Sequence, residues 1–424
     1  MREYSRRKFL KKNALGGLCL GAGIQLGANN GLFAQKHLNF RDKHYDEVNW
    51  DAIREEFIFP KTFNYLNTAS LGPSPKVVVN TIYESMLSLE EKCSHGHHLA
   101  KRMHQKLAEL LNVDENEIAI TRNATEGMNI IAQSLKLKIG DEVIITTHEH
   151  VGGAAPWLAL KKELGIRVVL VDLDETGQEN LRRIQQRITK RTKAIVVSHI
   201  TCTTGMRLPV KEIATLCREN NIYSCIDGAQ SLGMISIDLK DINPDFYTGS
   251  GHKWLCGPKG TGFLYTKKEL LEKLPPVFVG AYSDSSYDLN KLELTYRNSA
   301  QREEYGTRNT PIIIGLGSAI DFIKTIGTEH IESRGNKLCE YLRKELIKKK
   351  KIEVITPEDK KWNSSILTFR IKGINNLEFN KELNTKHGIR LRGIYENNLN
   401  ALRVSCAFFN TYKELDELIK VIDI

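Results

Sequence analysis

The residues with the clearest capacity for covalent chemistry surround Lys253, in the stretch T-G-S-G-H-K-W that ends at Trp254. A lysine amine on a flexible four-carbon stem can act as a nucleophile toward an aldehyde. A nucleotide-binding P-loop is excluded, because Lys253 precedes Gly257 and the pattern G-x-x-x-x-G-K-[ST] cannot be fitted. Taken alone, Lys253 can also be a solvated loop residue, as most of the 61 Lys and Arg residues must be.

Three further polar residues follow apolar runs elsewhere in the chain. His150 comes just after the run D-E-V-I-I-T-T, Asp227 ends the run I-Y-S-C-I-D, and Gln230 lies three residues further on. Because ligands collect at the carboxyl ends of the strands in an open α/β sheet, we expect these side chains to converge with Lys253. Individually, Asp227 can be a helix cap and Gln230 a surface residue.

This combination of residue types is what pyridoxal 5′-phosphate (PLP) requires. The coenzyme withdraws electrons from the α-carbon of an amino acid, most effectively when a carboxylate keeps its ring nitrogen protonated. Asp227 can supply the carboxylate, Lys253 the amine that holds the aldehyde, and His150 a planar group that stacks on the ring. Ala124 and Thr125 begin a predicted helix, whose free N–H groups suit a phosphate.

The elements that must position these residues alternate regularly. Apolar runs that predict strands cover residues 141–147, 167–173, 193–200, 222–227 and 260–266. Amphipathic segments separate them, such as Leu208–Asn221, where Ile213, Leu216 and Cys217 share one face of a helix. The pattern predicts an α/β sheet. Beyond Pro311, longer helical stretches and a few strands predict a second, smaller domain that ends in an amphipathic helix.

We therefore predict four segments along the chain. They are a signal segment (1–35), an N-terminal arm (36–75), a large PLP-binding domain (76–310) and a small C-terminal domain (311–424).

Six short motifs, in this order, resemble the class V aminotransferase family: N-A-T-E-G, E-H, D-G-A-Q, S-G-H-K-W, Y-G-T-R-N-T-P and A-L-R-V-S-C-A-F-F-N-T. This family includes cysteine desulfurases and isopenicillin N epimerase. The resemblance begins at about Tyr65 and implies a PLP-dependent transferase fold of type I. That fold has a large, mostly parallel mixed sheet flanked by helices and a smaller α+β C-terminal domain. The resemblance also implies a homodimer with shared sites.

The resemblance assigns a role to each candidate residue at the cofactor. It makes Lys253 the lysine that binds the cofactor covalently, Asp227 the partner of the ring nitrogen and His150 the stacking residue. The remaining cofactor contacts, to the ring oxygen and the phosphate, are predicted for Gln230, Ala124, Thr125, Ser250 and His252.

Three further residues are assigned to the subunit interface and the substrate. The resemblance places Thr307 against the phosphate of the neighbouring subunit. Arg403 would bind the substrate carboxylate in a bidentate manner, with Arg392 as a second arginine at the site.

Two departures from the desulfurase pattern bear on the reaction. The interval His387–Arg403 contains no cysteine, although cysteine desulfurases carry their nucleophilic cysteine shortly before this arginine, and Cys406 lies beyond it. Cys202 stands where desulfurases often have asparagine. We therefore expect an enzyme acting at the α-carbon of an amino acid, as an aminotransferase or an isopenicillin N epimerase-like enzyme. The alternatives are a cysteine or selenocysteine lyase or desulfurase, and a non-catalytic protein that binds PLP or an amine.

The N-terminus and the charge distribution predict location and partners. S-R-R-K-F-L-K-K, residues 5–12, resembles a twin-arginine export signal, which predicts an exported, periplasmic protein handled by the twin-arginine machinery. The apolar stretch after it is interrupted by Gln25, Asn29 and Asn30, so no stable membrane span is expected. Half of the net charge of +10 lies in residues 1–35, so no nucleic-acid partner is predicted. The histidines of Ser94–His98 lack acidic partners in sequence, and no metal site is predicted.

Overall fold

The computed structural model describes residues 40, 48–59 and 63–422. The predicted twin-arginine signal lies outside them. Thirteen α-helices are described: α1 (Trp50–Glu55), α2 (Lys76–Glu91), α3 (Ala100–Leu111), α4 (Ala124–Ser134), α5 (Val151–Leu164), α6 (Asn180–Gln185), α7 (Val210–Glu219), α8 (Leu239–Ile242), α9 (Lys268–Leu271), α10 (Thr310–Ile326), α11 (Thr328–Leu346), α12 (Asn376–Lys386) and α13 (Tyr412–Val421).

Fifteen strands accompany these helices in the described ranges. They are β1 (Asn64–Tyr65), β2 (Ile118–Thr121), β3 (Glu142–Thr146), β4 (Arg167–Val171), β5 (Thr192–Ser198), β6 (Tyr223–Asp227), β7 (Phe246–Ser250), β8 (Gly262–Thr266), β9 (Asp284–Asp288), β10 (Glu293–Tyr296), β11 (Ile352–Val354), β12 (Ile366–Ile371), β13 (Ile389–Arg390), β14 (Arg392–Ile394) and β15 (Ala401–Ser405).

Seven strands form the large mixed sheet, in the order β2-β8-β7-β6-β5-β3-β4. The strands from β4 to β7 pair in parallel, whereas β8 runs antiparallel to both β7 and β2. The five predicted strands correspond to β3, β4, β5, β6 and β8. The strands β2 and β7 were not predicted, because β2 has only four residues and β7 ends in the weakly apolar sequence T-G-S.

A hydrophobic core supports the sheet on the side of α4 and α5. It includes Ile131 and Trp157, which are fully buried and lie against strand residues such as Val143 and Val196. Removing this apolar surface from water is the main force that holds the helices to the sheet. Since α4 and α5 each begin at the carboxyl edge of the sheet, their packing fixes the position of their first turns.

A second, smaller sheet lies in the C-terminal part, in the order β11-β12-β15-β14, and all its pairings are antiparallel. The predicted terminal helix is present as α13, whose Leu415 and Leu418 join the core of this part. The short strand β1 pairs in parallel with β13, so the segment before α2 is attached to the small sheet. The predicted fold class, with a large mixed sheet and a small C-terminal sheet domain, is confirmed, while the domain boundaries stay predictions.

Within the described residues, no single helix combines the length and the apolar composition needed to cross a membrane. The helices α10 and α11 reach that length and apolar composition only when they are taken together, and their axes are bent by 75° relative to each other.

Candidate active site

A cavity of about 330 Å³ opens at the carboxyl edge of the large sheet. It is of the size that holds small cofactors and substrates. All the predicted site residues except Thr307 line it: Ala124, Thr125, His150, Asp227, Gln230, Ser250, His252, Lys253, Arg392 and Arg403. Residues far apart in sequence therefore converge as the rule for strand ends predicts. Their individual roles stay predictions.

Lys253 lies in a turn just after β7 and is 8% exposed. Burial lowers the pKa of its amine, and the nearby charge of Asp227 opposes this shift. The backbone of Lys253 packs tightly against Gly72, where an added Cβ would lie 1.8 Å from the Lys253 carbonyl oxygen. Only glycine fits there, so Gly72 allows the segment before α2 to form one wall of the site.

Asp227 ends β6, is buried and is one of the residues that line the cavity. Its Oδ1 accepts a hydrogen bond of 2.8 Å from the backbone N–H of Ala229. Burial raises the pKa of its carboxyl group, and Lys253 acts in the opposite direction. A buried carboxylate beside a lysine is suited to a cationic partner such as a protonated ring nitrogen.

His150 caps the N-terminus of α5, because its Nδ1 accepts a hydrogen bond of 3.0 Å from Gly152 N. Burial, followed by the charges of Lys253 and Arg392, lowers its pKa to about 4, so the ring is neutral at pH 7. Two glycines keep the first turn of α5 narrow: a Cβ at Gly152 would lie 2.2 Å from Thr125 Oγ1. The cap fixes the plane of the imidazole, as a stacking role requires.

The N-terminus of α4 faces the end of β7. Ala124 N donates to Ser250 Oγ at 3.3 Å, and Asn123 caps the helix through Glu126 N. Nearby, His252 Nδ1 is buried and has no hydrogen-bond partner among the residues that the structure describes. A buried polar atom without a partner is costly unless a ligand satisfies it. The unpaired histidine nitrogen and the helix N-terminus are together suited to a phosphate.

Gln230 is held from both ends of its amide. Its Nε2 donates to Ala69 O at 2.9 Å, and its Oε1 accepts from Trp254 Nε1 at 2.8 Å. One N–H of the amide is left for a ring oxygen, which is the predicted contact.

Arg403 lies in β15 and is 1% exposed. Its Nη1 donates to Cys202 O at 2.7 Å, and its Nη2 donates to Ser70 Oγ at 2.7 Å and to Asn67 Oδ1 at 3.1 Å. Burial lowers its pKa to about 10, which leaves the guanidinium charged at pH 7. Sequence reasoning missed Asn67 and Ser70, since nothing in their local sequence signals a contact with a residue more than 330 positions away.

Arg392 stands opposite Arg403 in the register of β14 and β15. Its guanidinium pairs with Glu396, and both side chains are 22% exposed. With Lys253, the two arginines give the cavity three cations against the single carboxylate of Asp227 among its lining residues. This excess of positive charge favours anionic groups such as a phosphate and a carboxylate.

Thr307 does not line this cavity; it is exposed at a separate hollow. That position is compatible with the predicted contact to a neighbouring subunit, which stays a prediction. The base of its loop is anchored by Glu304, which accepts from Ile120 N at 2.6 Å and pairs with His104 and Arg308. Across the part of the chain that the structure describes, no group of three or more His, Cys, Asp or Glu residues could hold a metal ion.

Of the described cysteines, Cys202 is the one that lines the cavity. It is 3% exposed, and burial raises the pKa of its thiol. Cys406 is fully buried in the core of the small sheet, and Cys93 is exposed just after the C-terminal end of α2. The segment between Arg392 and Arg403 offers Glu396 and Asn397 but no thiol.

Taken together, the lining residues fit PLP. The cavity combines a buried lysine, a buried carboxylate, a fixed neutral imidazole and an unpaired histidine nitrogen near a helix N-terminus. These are the groups that the aldehyde, the ring nitrogen, the ring face and the phosphate need.

Comparisons with known proteins agree with this geometry. The family model described as aminotransferase class V matches residues 65–418. The chain is 29% identical over 388 residues to a probable cysteine desulfurase of Methanothermobacter thermautotrophicus, covering 87% of this chain and 96% of that protein. It is 30% identical over 298 residues to a probable cysteine desulfurase of Pyrococcus abyssi, and the match covers 68% of this chain and 74% of that protein.

Solved structures show the same fold. The cysteine desulfurase CsdA of Escherichia coli superposes with a TM-score of 0.79 at 26% identity, covering 89% of this chain and 98% of that one. A lysine-to-alanine variant of C-DES, with glycine covalently linked to its PLP cofactor, superposes with a TM-score of 0.80 at 26% identity. The superposition covers 87% of this chain and 98% of that one. Since the family model spans most of the sequence and the site is built from the same motifs, the chain belongs to the class V aminotransferase family.

Proposed function

We propose that the protein is a PLP-dependent carbon–sulfur lyase, which acts on L-cysteine or a cysteine derivative and releases the sulfur product into solution. The proposal rests on one observation, which is the set of residues that line the cavity. Lys253, Asp227 and Arg403 meet there, and Cys202 is the only cysteine that lines it among the described residues. The comparisons support the lyase or desulfurase alternative better than the aminotransferase or epimerase that the sequence favoured.

The predicted cofactor is confirmed at the level of the family, since C-DES carries PLP. When bound, PLP supplies the electron sink that makes the α-proton acidic and lets a β-substituent leave. Lys253 and Asp227 would hold its aldehyde and its ring nitrogen, and His150 its face. Ser250 and His252 would contact the phosphate.

Substrate orientation falls to Arg403. Its guanidinium is charged and held by Cys202 O, Ser70 and Asn67, which leaves one Nη1 hydrogen for a carboxylate that reaches the cavity. Binding the α-carboxylate there fixes the α-carbon relative to Lys253. We propose that Lys253 Nζ then takes the α-proton, since burial lowers the pKa of this amine and so favours its neutral, basic form.

The bond between Cβ and sulfur then breaks, the electron pair stays on sulfur, and sulfur takes up a proton. In sum, L-cysteine and water give sulfide, pyruvate and ammonia; L-cystine gives cysteine persulfide in place of sulfide. Persulfide is the reaction product of C-DES, a cystine C–S lyase whose solved structure is similar to this chain. No protein thiol takes part, which agrees with the absence of cysteine from the segment between Arg392 and Arg403.

The test is the identity of the products. PLP-loaded protein incubated with L-cysteine or L-cystine is expected to form pyruvate in a one-to-one ratio with the released sulfur compound, measured by coupled reduction of pyruvate and by sulfide or persulfide trapping. Alanine as the carbon product would instead indicate a desulfurase. Amino-group transfer to a keto acid would indicate an aminotransferase, and no consumption of any amino acid would indicate the non-catalytic alternative.

A further inference from the structure

Glu149 is a carboxylate close to the site that the proposed mechanism leaves without a role. It lies in the turn between β3 and α5, immediately before His150. Its Oε1 accepts hydrogen bonds from Thr146 Oγ1 at 2.6 Å and from Ser198 N at 3.1 Å, and its Oε2 is 2.6 Å from Ser198 Oγ. One backbone N–H and two hydroxyls therefore surround the carboxyl group, an arrangement that favours the ionised form.

These bonds connect the strand ends that carry the predicted ring contacts. Thr146 ends β3, and Ser198 ends β5, where it stands opposite Asp227 in the parallel register of β5 and β6. Glu149 therefore links the turn that carries His150 to the strand beside Asp227.

The carboxyl group of Glu149 also lies near that of Asp227. Gly153 separates them: a Cβ built there would be 3.1 Å from Asp227 Oδ2 and 3.9 Å from Glu149 Oε2. Burial raises the pKa of Glu149 to about 7, and the charge of Asp227 adds to this effect. Two carboxylates this close raise the affinity of the site for positive charge.

The other groups around Glu149 do not neutralise it. His150 is on the same turn, and burial lowers its pKa to about 4. His199, on the neighbouring strand end, bonds to Tyr247 OH, and burial lowers its pKa to about 3. His148 bonds to Thr203, and burial lowers its pKa. All three rings are neutral at pH 7, and Lys253 is the cation that faces Asp227.

We propose that Glu149 is a positioning residue that fixes His150 and Asp227 and, as a second anion behind Asp227, stabilises the positive charge of the protonated cofactor. The inference rests on the proposed placement of PLP. Removing the charge of Glu149 destabilises every added positive charge in the cavity, so the cofactor gives up its proton at a lower pH. The effect is largest above about pH 7, where Glu149 is ionised.

The test is an absorbance titration of the PLP-loaded protein between about pH 5 and pH 10. In Glu149→Gln, the midpoint of the absorbance change of the lysine-bound cofactor is expected to fall by about half a pH unit or more. The acid limb of the kcat profile should move with it. Ser198→Ala, which removes one donor to the carboxylate, should shift the midpoint in the same direction by a smaller amount.

Glu142→Gln is the matched control. Glu142 lies at the opposite end of β3, is 3% exposed and is bonded to Thr189 and Arg191. Its replacement should lower the melting temperature without moving the midpoint. If the midpoint is the same as in the wild type in both Glu149→Gln and Ser198→Ala, this inference is overturned but the proposed function is not. Wild-type protein that binds no PLP overturns the proposed function, and this inference with it.

Discussion

Replacing Lys253 by alanine is expected to lower the rate of sulfur release by about a thousandfold or more, because the variant loses both the covalent attachment of the cofactor and the base for the α-proton. The fold should be retained, since the substitution removes a buried amine whose lowered pKa reflects the cost of its burial. The measurements are steady-state rates, the visible absorbance of the lysine-bound cofactor, and the melting temperature.

The matched control for this variant is Lys259→Ala. Lys259 lies six residues further along the same segment and is exposed. Its replacement by alanine should leave the rate of sulfur release and the absorbance of the cofactor unchanged. Retention of the absorbance of lysine-bound PLP in the Lys253 variant would show that another amine holds the cofactor, and the assignment would be wrong.

The second large effect is expected for Asp227→Asn, which keeps the size of the side chain and its acceptor for Ala229 N but removes the charge. Without a carboxylate, a protonated ring nitrogen is no longer favoured, so the electron sink is weakened and kcat should fall by about a hundredfold to a thousandfold. KM should change little, because Arg403 still binds the carboxylate. Stopped-flow and steady-state rates with L-cystine measure both kcat and KM.

Asp245→Asn provides the comparison. Asp245 bonds to Ser224 N and Oγ near the other end of β6, away from the cavity. Its loss should cost stability and leave kcat unchanged. Equal losses of kcat in the two variants would mean that Asp227 acts through the fold and not on the cofactor.

The large sheet and most of the cavity could be predicted from the sequence, because apolar runs mark strands and the carboxyl ends of parallel strands share one edge. Asp227, His150 and Lys253 were found in this way. Gly72 was not predicted as a site residue. Glycine is required there only because the backbone of Lys253, 181 residues further along the chain, leaves no room for a Cβ. Ser70 was missed for the same reason: its bond to Arg403 spans 333 residues.

Glu149 shows a different limit. The E-H motif predicts a role for His150 only, because a glutamate after a strand resembles a surface residue and the bond from Ser198 to Glu149 is not visible in the sequence. The reaction type was the least predictable feature. Proton removal at Cα is common to transamination, epimerisation and elimination, and the sequence motifs describe the cofactor site that all three share.

The lyase mechanism requires that sulfur leaves without the help of a protein thiol. We would measure pyruvate and persulfide from L-cystine with Cys202→Ser and, separately, with wild-type protein treated with iodoacetamide, which reaches exposed thiols such as Cys93. If the protein is a lyase, both preparations should continue to form pyruvate and persulfide together. Loss of sulfur release in Cys202→Ser, with PLP still bound to Lys253, would make Cys202 the nucleophile and contradict the lyase mechanism.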